Sequence, residues 1–169
     1  MSAREDLLHA MLRECDLCVH LHGRIPPGGM EFRFTPGQRS TAELLRYLSF
    51  IGLAAAASAA EGSWDPYDAL SREAEGLAPA DFPAAMERQK RGLRELFGRL
   101  TDRDLEERTF EQPWGERMPL GRAIWTLGAA CLTAYRMQLF LQAKAAGNLA
   151  LSTSNCWGGR DRPPEPVRG

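Results

Sequence analysis

Residues 40–60 read STAELLRYLSFIGLAAAASAA, and this one stretch decides the fold class. It opens on Ser40 with Glu43 three positions later, the spacing of a capping box in which each side chain satisfies an orphan amide of the first turn. Leu44, Tyr47, Leu48, Ile51, Ala55 and Ala59 then recur at three- and four-residue intervals, which only a helix brings onto one face. From Tyr47 to Ala60 there are 14 uncharged residues between Arg46 and Glu61. A membrane-spanning helix needs about 20 apolar residues, so the run reads as a buried helix and no membrane contact is expected. The small side chains from Leu53 to Ala60 let neighbouring helices approach closely, and Glu61-Gly62 ends the segment.

Upstream, Ser2 and Glu5 repeat the capping-box spacing, and Leu8, Met11, Cys15, Cys18 and His22 form a second stripe. Gly23 stops it, Pro26-Pro27-Gly28-Gly29 prevents its continuation, and Met30 to Arg39 reads as an irregular connection. Downstream, Trp64 to Leu77 has the mixed composition of a long loop with one short helix. A third long helix starts near Asp81, with Pro83 in its first turn. It carries Phe82, Ala85, Met86, Gln89, Leu93, Leu96, Phe97 and Leu100 on one face. The connection from Thr101 to Arg117 holds Phe110 and Trp114, large apolar residues expected to close over the core. The fourth helix starts around Pro119, and Leu120, Ile124, Leu127, Cys131, Tyr135, Gln138 and Leu141 repeat towards Gly147-Asn148. Strand alternation is nearly missing. Four amphipathic helices bury their stripes against one another, so the expected architecture is all-α: an antiparallel four-helix bundle over 1–148, with long connections. Residues 149–169, rich in Pro and Gly, read as an irregular C-terminal tail packed on the bundle or trailing from it.

Composition narrows the function. The chain has 169 residues, 44% of them hydrophobic and 25% charged, with 21 Lys and Arg against 22 Asp and Glu. Even the most charged stretch, Asp81 to Arg108, balances seven bases with seven acids. A nucleic-acid binder gathers basic charge on one face, so no nucleic-acid partner is expected. The N-terminus shows charge and a helical pattern in place of a signal-peptide core, which implies a cytoplasmic protein with Cys15, Cys18, Cys131 and Cys156 as free thiols.

Two segments carry a family resemblance. Gln38-Arg39-Ser40-Thr41-Ala42-Glu43-Leu44-Leu45-Arg46-Tyr47-Leu48 is similar to the "RS..ELL.H" pattern of the DinB-like family (DinB/YfiT-like metalloenzymes). Cys131-Leu132-Thr133-Ala134-Tyr135-Arg136-Met137-Gln138-Leu139 resembles that family's "HExxHRGQL" segment, and Asn155-Cys156-Trp157-Gly158-Gly159 resembles a "WGG" ending found in some members. Metal-binding members use three histidines, and at the matching positions this chain has Tyr47, Cys131 and Tyr135. A neutral imidazole offers a lone pair near neutral pH, whereas a phenol, with a pKa of about 10, must first lose a proton. The resemblance therefore implies a divergent member with a degenerate metal site, without cofactor. Nickel or zinc would be the metal if one were held. Tyr47, Cys131 and Tyr135 become a candidate pocket for a small molecule, and no catalytic residue is assigned. The alternative implied by the family is a metal-dependent thiol S-transferase using bacillithiol, mycothiol or glutathione, and whether the chain is an enzyme stays open. A homodimer is also implied, with the Ala-rich face of Leu53 to Ala60 as its physical basis.

Other motifs carry less. Cys15-Asp16-Leu17-Cys18-Val19-His20-Leu21-His22 gathers metal-ligand types, but on a helix Cys15, Cys18 and His22 fall on the apolar stripe while His20 points away, and no second ligand pair accompanies them. These read as core cysteines. Cys131 lies mid-helix, with Arg136 expected on another face, which does not activate a thiol. Trp64, Trp114, Trp125 and Trp157 serve either a ligand pocket or closure of the bundle mouths. Neither GxSxG nor GxxxxGK[ST] is present.

Overall fold

The structure is a computed structural model and describes residues 2–112 and 114–162. Four long helical segments form the bundle: α1 (Ala3–His22), α2 (Thr41–Glu61), α4 (Phe82–Arg99), and the α6 (Leu120–Ile124)–α7 (Ala130–Ala145) segment. Three short helices decorate it: α3 (Asp65–Ala74), α5 (Asp102–Glu107) and α8 (Thr153–Gly158). Both expected capping boxes form. Ser2 and Ser40 accept from the amides of Glu5 and Glu43, whose carboxylates accept in return at 2.9 and 2.6 Å. Gly62, at φ 70°, closes α2 in the left-handed region.

α1 packs against α4 and α7, and α2 packs against the same two from the other side, so α1 and α2 lie on one diagonal of the bundle. Contacts at the helix ends set the directions. Arg4 at the start of α1 donates to the carbonyls of Phe97 and Leu100 at the end of α4, so these helices are antiparallel. Gln142 late in α7 donates to the Arg39 carbonyl just before α2, so that pair is antiparallel too. The other two neighbouring pairs run parallel. Arg46 early in α2 reaches the Leu77 carbonyl ahead of α4, and Asn148 after α7 donates to the Arg24 carbonyl after α1. The four-helix bundle therefore runs up-down-down-up in chain order. Two successive parallel helices need a return, and α3 supplies it by packing along α2.

The core follows the expected stripes on three helices. Met11, Cys15 and Cys18 of α1, Leu44, Leu48 and Ile51 of α2, and every residue of the α4 stripe are buried. The fourth helix departs. Residues Trp125–Ala129 form a π-helical turn between α6 and α7, which shifts the buried face by about one residue. Leu132, Arg136, Leu139 and Ala143 face the core, whereas Cys131 and Tyr135 are half-buried and Leu141 is exposed. The π turn also crosses α1 and α2 at close range: a Cβ on Gly128 would lie 2.8 Å from Met11 Cε, and one on Gly52 would lie 2.6 Å from Leu132 Cδ1.

Four further expectations are corrected. Strands exist, as a hairpin of β1 (Thr109–Glu111) with β2 (Arg117–Pro119) that buries Phe110 against Met118. At three residues each, they are too short to show alternation in sequence. Trp114 at the hairpin tip does not close the bundle and is 67% exposed. The tail is not irregular throughout, because α8 packs on α1 and α7; residues 163–169 lie outside the described residues. Finally, the Ala-rich stretch is no free surface, since Ala54, Ala55, Ala56, Ser58, Ala59 and Ala60 are all buried within the chain. By length and composition α2 is apolar enough to cross a membrane, yet 72% of its most apolar window is buried in the bundle, as expected of a core helix.

Candidate functional site

The three residues singled out from the sequence come together. Tyr47 lies on the second turn of α2, while Cys131 and Tyr135 occupy successive turns of α7. The Tyr47 hydroxyl and the Cys131 thiol are 3.9 Å apart, with either able to donate. The rings of Tyr47 and Tyr135 meet edge to face, 4.8 Å between centroids. Tyr47 continues an aromatic chain along α2 and α3, through Phe50 at 5.6 Å and on to Tyr67 at a further 5.6 Å. Edge-to-face contacts of this kind suit the ring quadrupole and hold each ring in place.

A fourth residue completes the group and was not singled out from the sequence. The Arg39 guanidinium carbon lies 4.2 Å from the Tyr47 ring centroid and 5.5 Å from that of Tyr135. The Gln142 amide pins the Arg39 carbonyl at 2.9 Å, so the chain entering α2 is anchored where the side chain turns over the phenols. Among the described residues this guanidinium has no carboxylate partner. Its only sequence signal is position: it directly precedes the Ser40 cap of the helix that carries Tyr47.

Beside this cluster a groove of about 330 Å³ opens between α2 and α3, walled by Arg39, Arg46, Tyr47, Phe50 and Tyr67, with Glu75 at its rim. Cys131 and Tyr135 lie behind Tyr47, outside the groove. A smaller cavity of about 140 Å³ sits between α2, α3 and α4 at Ser49 and Gln89. An apolar groove of about 470 Å³ runs along Leu7, Ala10, Leu105 and the exposed Trp125 on the far side of the bundle.

The donor set does not suit a divalent metal. Burial raises the Tyr47 hydroxyl above its ordinary range, and the neighbouring Cys131 raises it further. Burial also pushes the Cys131 thiol up, with the Tyr47 hydrogen bond and the Arg39 charge opposing. Both groups are therefore protonated at neutral pH, whereas metal ligands must be deprotonated. The same protonation argues against Cys131 as a nucleophile. Among the described residues no three His, Cys, Asp or Glu side chains cluster as metal ligands would. The N-terminal run behaves as core: burial raises Cys15 to about 12 and Cys18 well above its ordinary value. His22 donates to the Pro79 carbonyl at 2.8 Å, and His20 meets the Asn155 amide at 3.2 Å.

Arg136 does lie on a different face of α7 from Cys131, and that face turns into the core. Its side chain is fully buried, ion-paired to Glu14 at 2.5 Å, donating to the Cys156 carbonyl at 2.6 Å, and covered by the Trp157 ring at 4.4 Å. It fastens α8 to the bundle. Of the other tryptophans, Trp64 packs edge to face on Tyr67 and Phe110, which links the groove wall to the hairpin.

No protein-family model matches this sequence, and no curated protein does. Among solved structures, a DinB-like protein from Bacillus subtilis superposes with a TM-score of 0.65. The match covers 84% of this chain and 92% of that one, at 16% sequence identity. The fold is DinB-like. At this identity the likeness concerns the arrangement of helices, and what the DinB-like frame holds in this chain rests on its own side chains.

Proposed function

We propose that this DinB-like protein is a metal-independent small-molecule-binding protein, with Tyr47 lining its site and Cys131 and Tyr135 packed behind Tyr47. One observation carries the reading: the Arg39 guanidinium is stacked 4.2 Å from the Tyr47 ring, beside the space that three metal ligands would share. A fixed cation there repels a divalent ion, and among the described residues no carboxylate is ion-paired with it. Protonated phenol and thiol groups offer weak donors to a metal but good hydrogen-bonding groups to an organic ligand. Elemental analysis of untagged protein tests this. Nickel, zinc, iron and manganese should all fall well below one equivalent per chain. Stoichiometric metal that is lost in Cys131→Ala would overturn the reading and favour the thiol S-transferase.

The homodimer implied by the resemblance is carried here as a proposal. With the Ala-rich stretch of α2 spent inside the bundle, the apolar groove at Leu7 and the exposed Trp125 is a surface of suitable character.

A further inference from the structure

We infer that the groove beside Tyr47 selects small oxyanions bearing a flat apolar group, aromatic carboxylates above all, with Arg39 as the anion-binding residue. The inference rests on the reading of that site as a ligand pocket and adds the chemical class of the ligand.

Charge is the first argument. The groove is walled by Arg39 and Arg46. Of its carboxylates, Glu43 is committed: it caps the Ser40 amide at 2.6 Å and lies 3.4 Å from Arg33. Arg46 gives its Nε to the Leu77 carbonyl at 3.1 Å, and its charge also bears on Glu43. With Arg33 sharing Glu43, Arg39 and Arg46 stand against Glu75 in the lining, which leaves the groove a slight excess of positive charge.

Geometry is the second. The Arg39 guanidinium lies over the rings of Tyr47 and Tyr135, and no described residue hydrogen-bonds its N–H edges. That planar fork matches a carboxylate or phosphate with two parallel hydrogen bonds, which an ammonium cannot do. Because stacking restricts the side chain, less freedom is lost when the anion arrives. The third argument is the wall opposite. Phe50 and Tyr67 present ring surface a short way along the groove, so a ligand anchored by its carboxylate lays a flat ring against them. At about 330 Å³ the groove is at the lower end of the range of small-molecule sites, roughly 300–1,000 Å³, and suits a compact molecule.

The test is a titration of the full chain with phenylacetate and, separately, with the isosteric neutral phenylacetamide. Calorimetry gives the affinity and backbone amide NMR shifts give the location. Phenylacetate should bind about tenfold or more tightly than the amide, as expected for a charge-assisted bidentate contact, with shifts centred on residues 39–50 and 67–75. Arg39→Met, which keeps an apolar stem on the phenol faces, should bring phenylacetate down to the level of the amide and leave amide binding unchanged. Arg39→Lys should fall between, and thermal melts establish that both variants are folded. Phenylphosphate tells the two oxyanions apart. Equal binding of acid and amide in the groove would keep the pocket and overturn the anion. Phenylacetate binding that survives Arg39→Met overturns the inference, as does no groove binding into the millimolar range. The metal-independent reading is judged separately, by elemental analysis.

Discussion

α7 meets an arginine on each of two faces, and the pair behave in opposite ways. Towards α1 and α8, Arg136 is fully buried, neutralised by Glu14 and tied to the Cys156 carbonyl, with Nη2 alone lacking a partner among the described residues. Towards α2, Arg39 is exposed, carries no carboxylate and rests on two phenol rings. A buried guanidinium must be paired, because its desolvation is otherwise prohibitive, and once paired and enclosed it is out of reach of a ligand. The exposed one avoids that cost and keeps its donors. Burial and pairing therefore separate the fastening arginine from the recognising one, although both touch the same helix.

Four outcomes break or sharpen this contrast. The largest belongs to Arg136→Met, which strands the Glu14 carboxylate and unfastens α8. Urea unfolding should register a loss of about 3–5 kcal/mol, and a loss as small as that of Arg39→Met would erase the distinction. Next is Gly52→Ala, where the added Cβ would stand 2.6 Å from Leu132 Cδ1. Forced repacking of α2 on α7 should cost about 1–3 kcal/mol and disturb the Tyr47–Cys131 contact, seen as shifts at both residues. Third is acid sensitivity on the fastening side. Burial lowers His20 and His22 below the ordinary value of 6.5, with Arg24 lowering His20 further. The unfolded chain then takes up protons more readily than the folded one, so the histidine contribution to stability is complete above about pH 6.5 and is lost as pH falls through the lowered folded values. Amide exchange across 153–158 should accelerate in that window, more than exchange across 44–51, and uniform acceleration would contradict a local effect. The smallest change is expected from Tyr47→Phe with Tyr135→Phe. It removes hydroxyls that no strong hydrogen bond holds in the protein and should shift unfolding by under about 1 kcal/mol, visible as a near-unchanged melting temperature.

How much of this was legible in the sequence depended on the range of the interaction. Ser2/Glu5 and Ser40/Glu43 are contacts over three positions, and both formed as read. The α4 stripe, uninterrupted by any irregular turn, is buried at every position named. On the fourth helix the three-and-four spacing carried the stripe through Leu127 to Leu141, whereas the π turn at Trp125–Ala129 hands the core to Leu132, Arg136 and Leu139. No local propensity marks that turn. Gly128 within it packs closely on Met11 and Gly52, a tertiary fact. The juxtaposition of Tyr47, Cys131 and Tyr135 was expected from the family resemblance. Arg39 was missed because its stacking depends on Gln142, 103 residues away. α8 was missed because its capping box, Ser152 with Asn155, lies in a Gly- and Pro-rich stretch.

α3 exists because two successive helices of the bundle run the same way and the chain must climb back between them. That return leg is also one wall of the groove. The shape of the recess thus depends on a ten-residue helix that meets the core through Ala74 and leaves its outer face to solvent. Specificity here is separable from foldability: substitutions at Tyr67, Ser71 or Glu75 would retune what is accepted while the four long helices stay as they are, so related chains should diverge in ligand through this connection first.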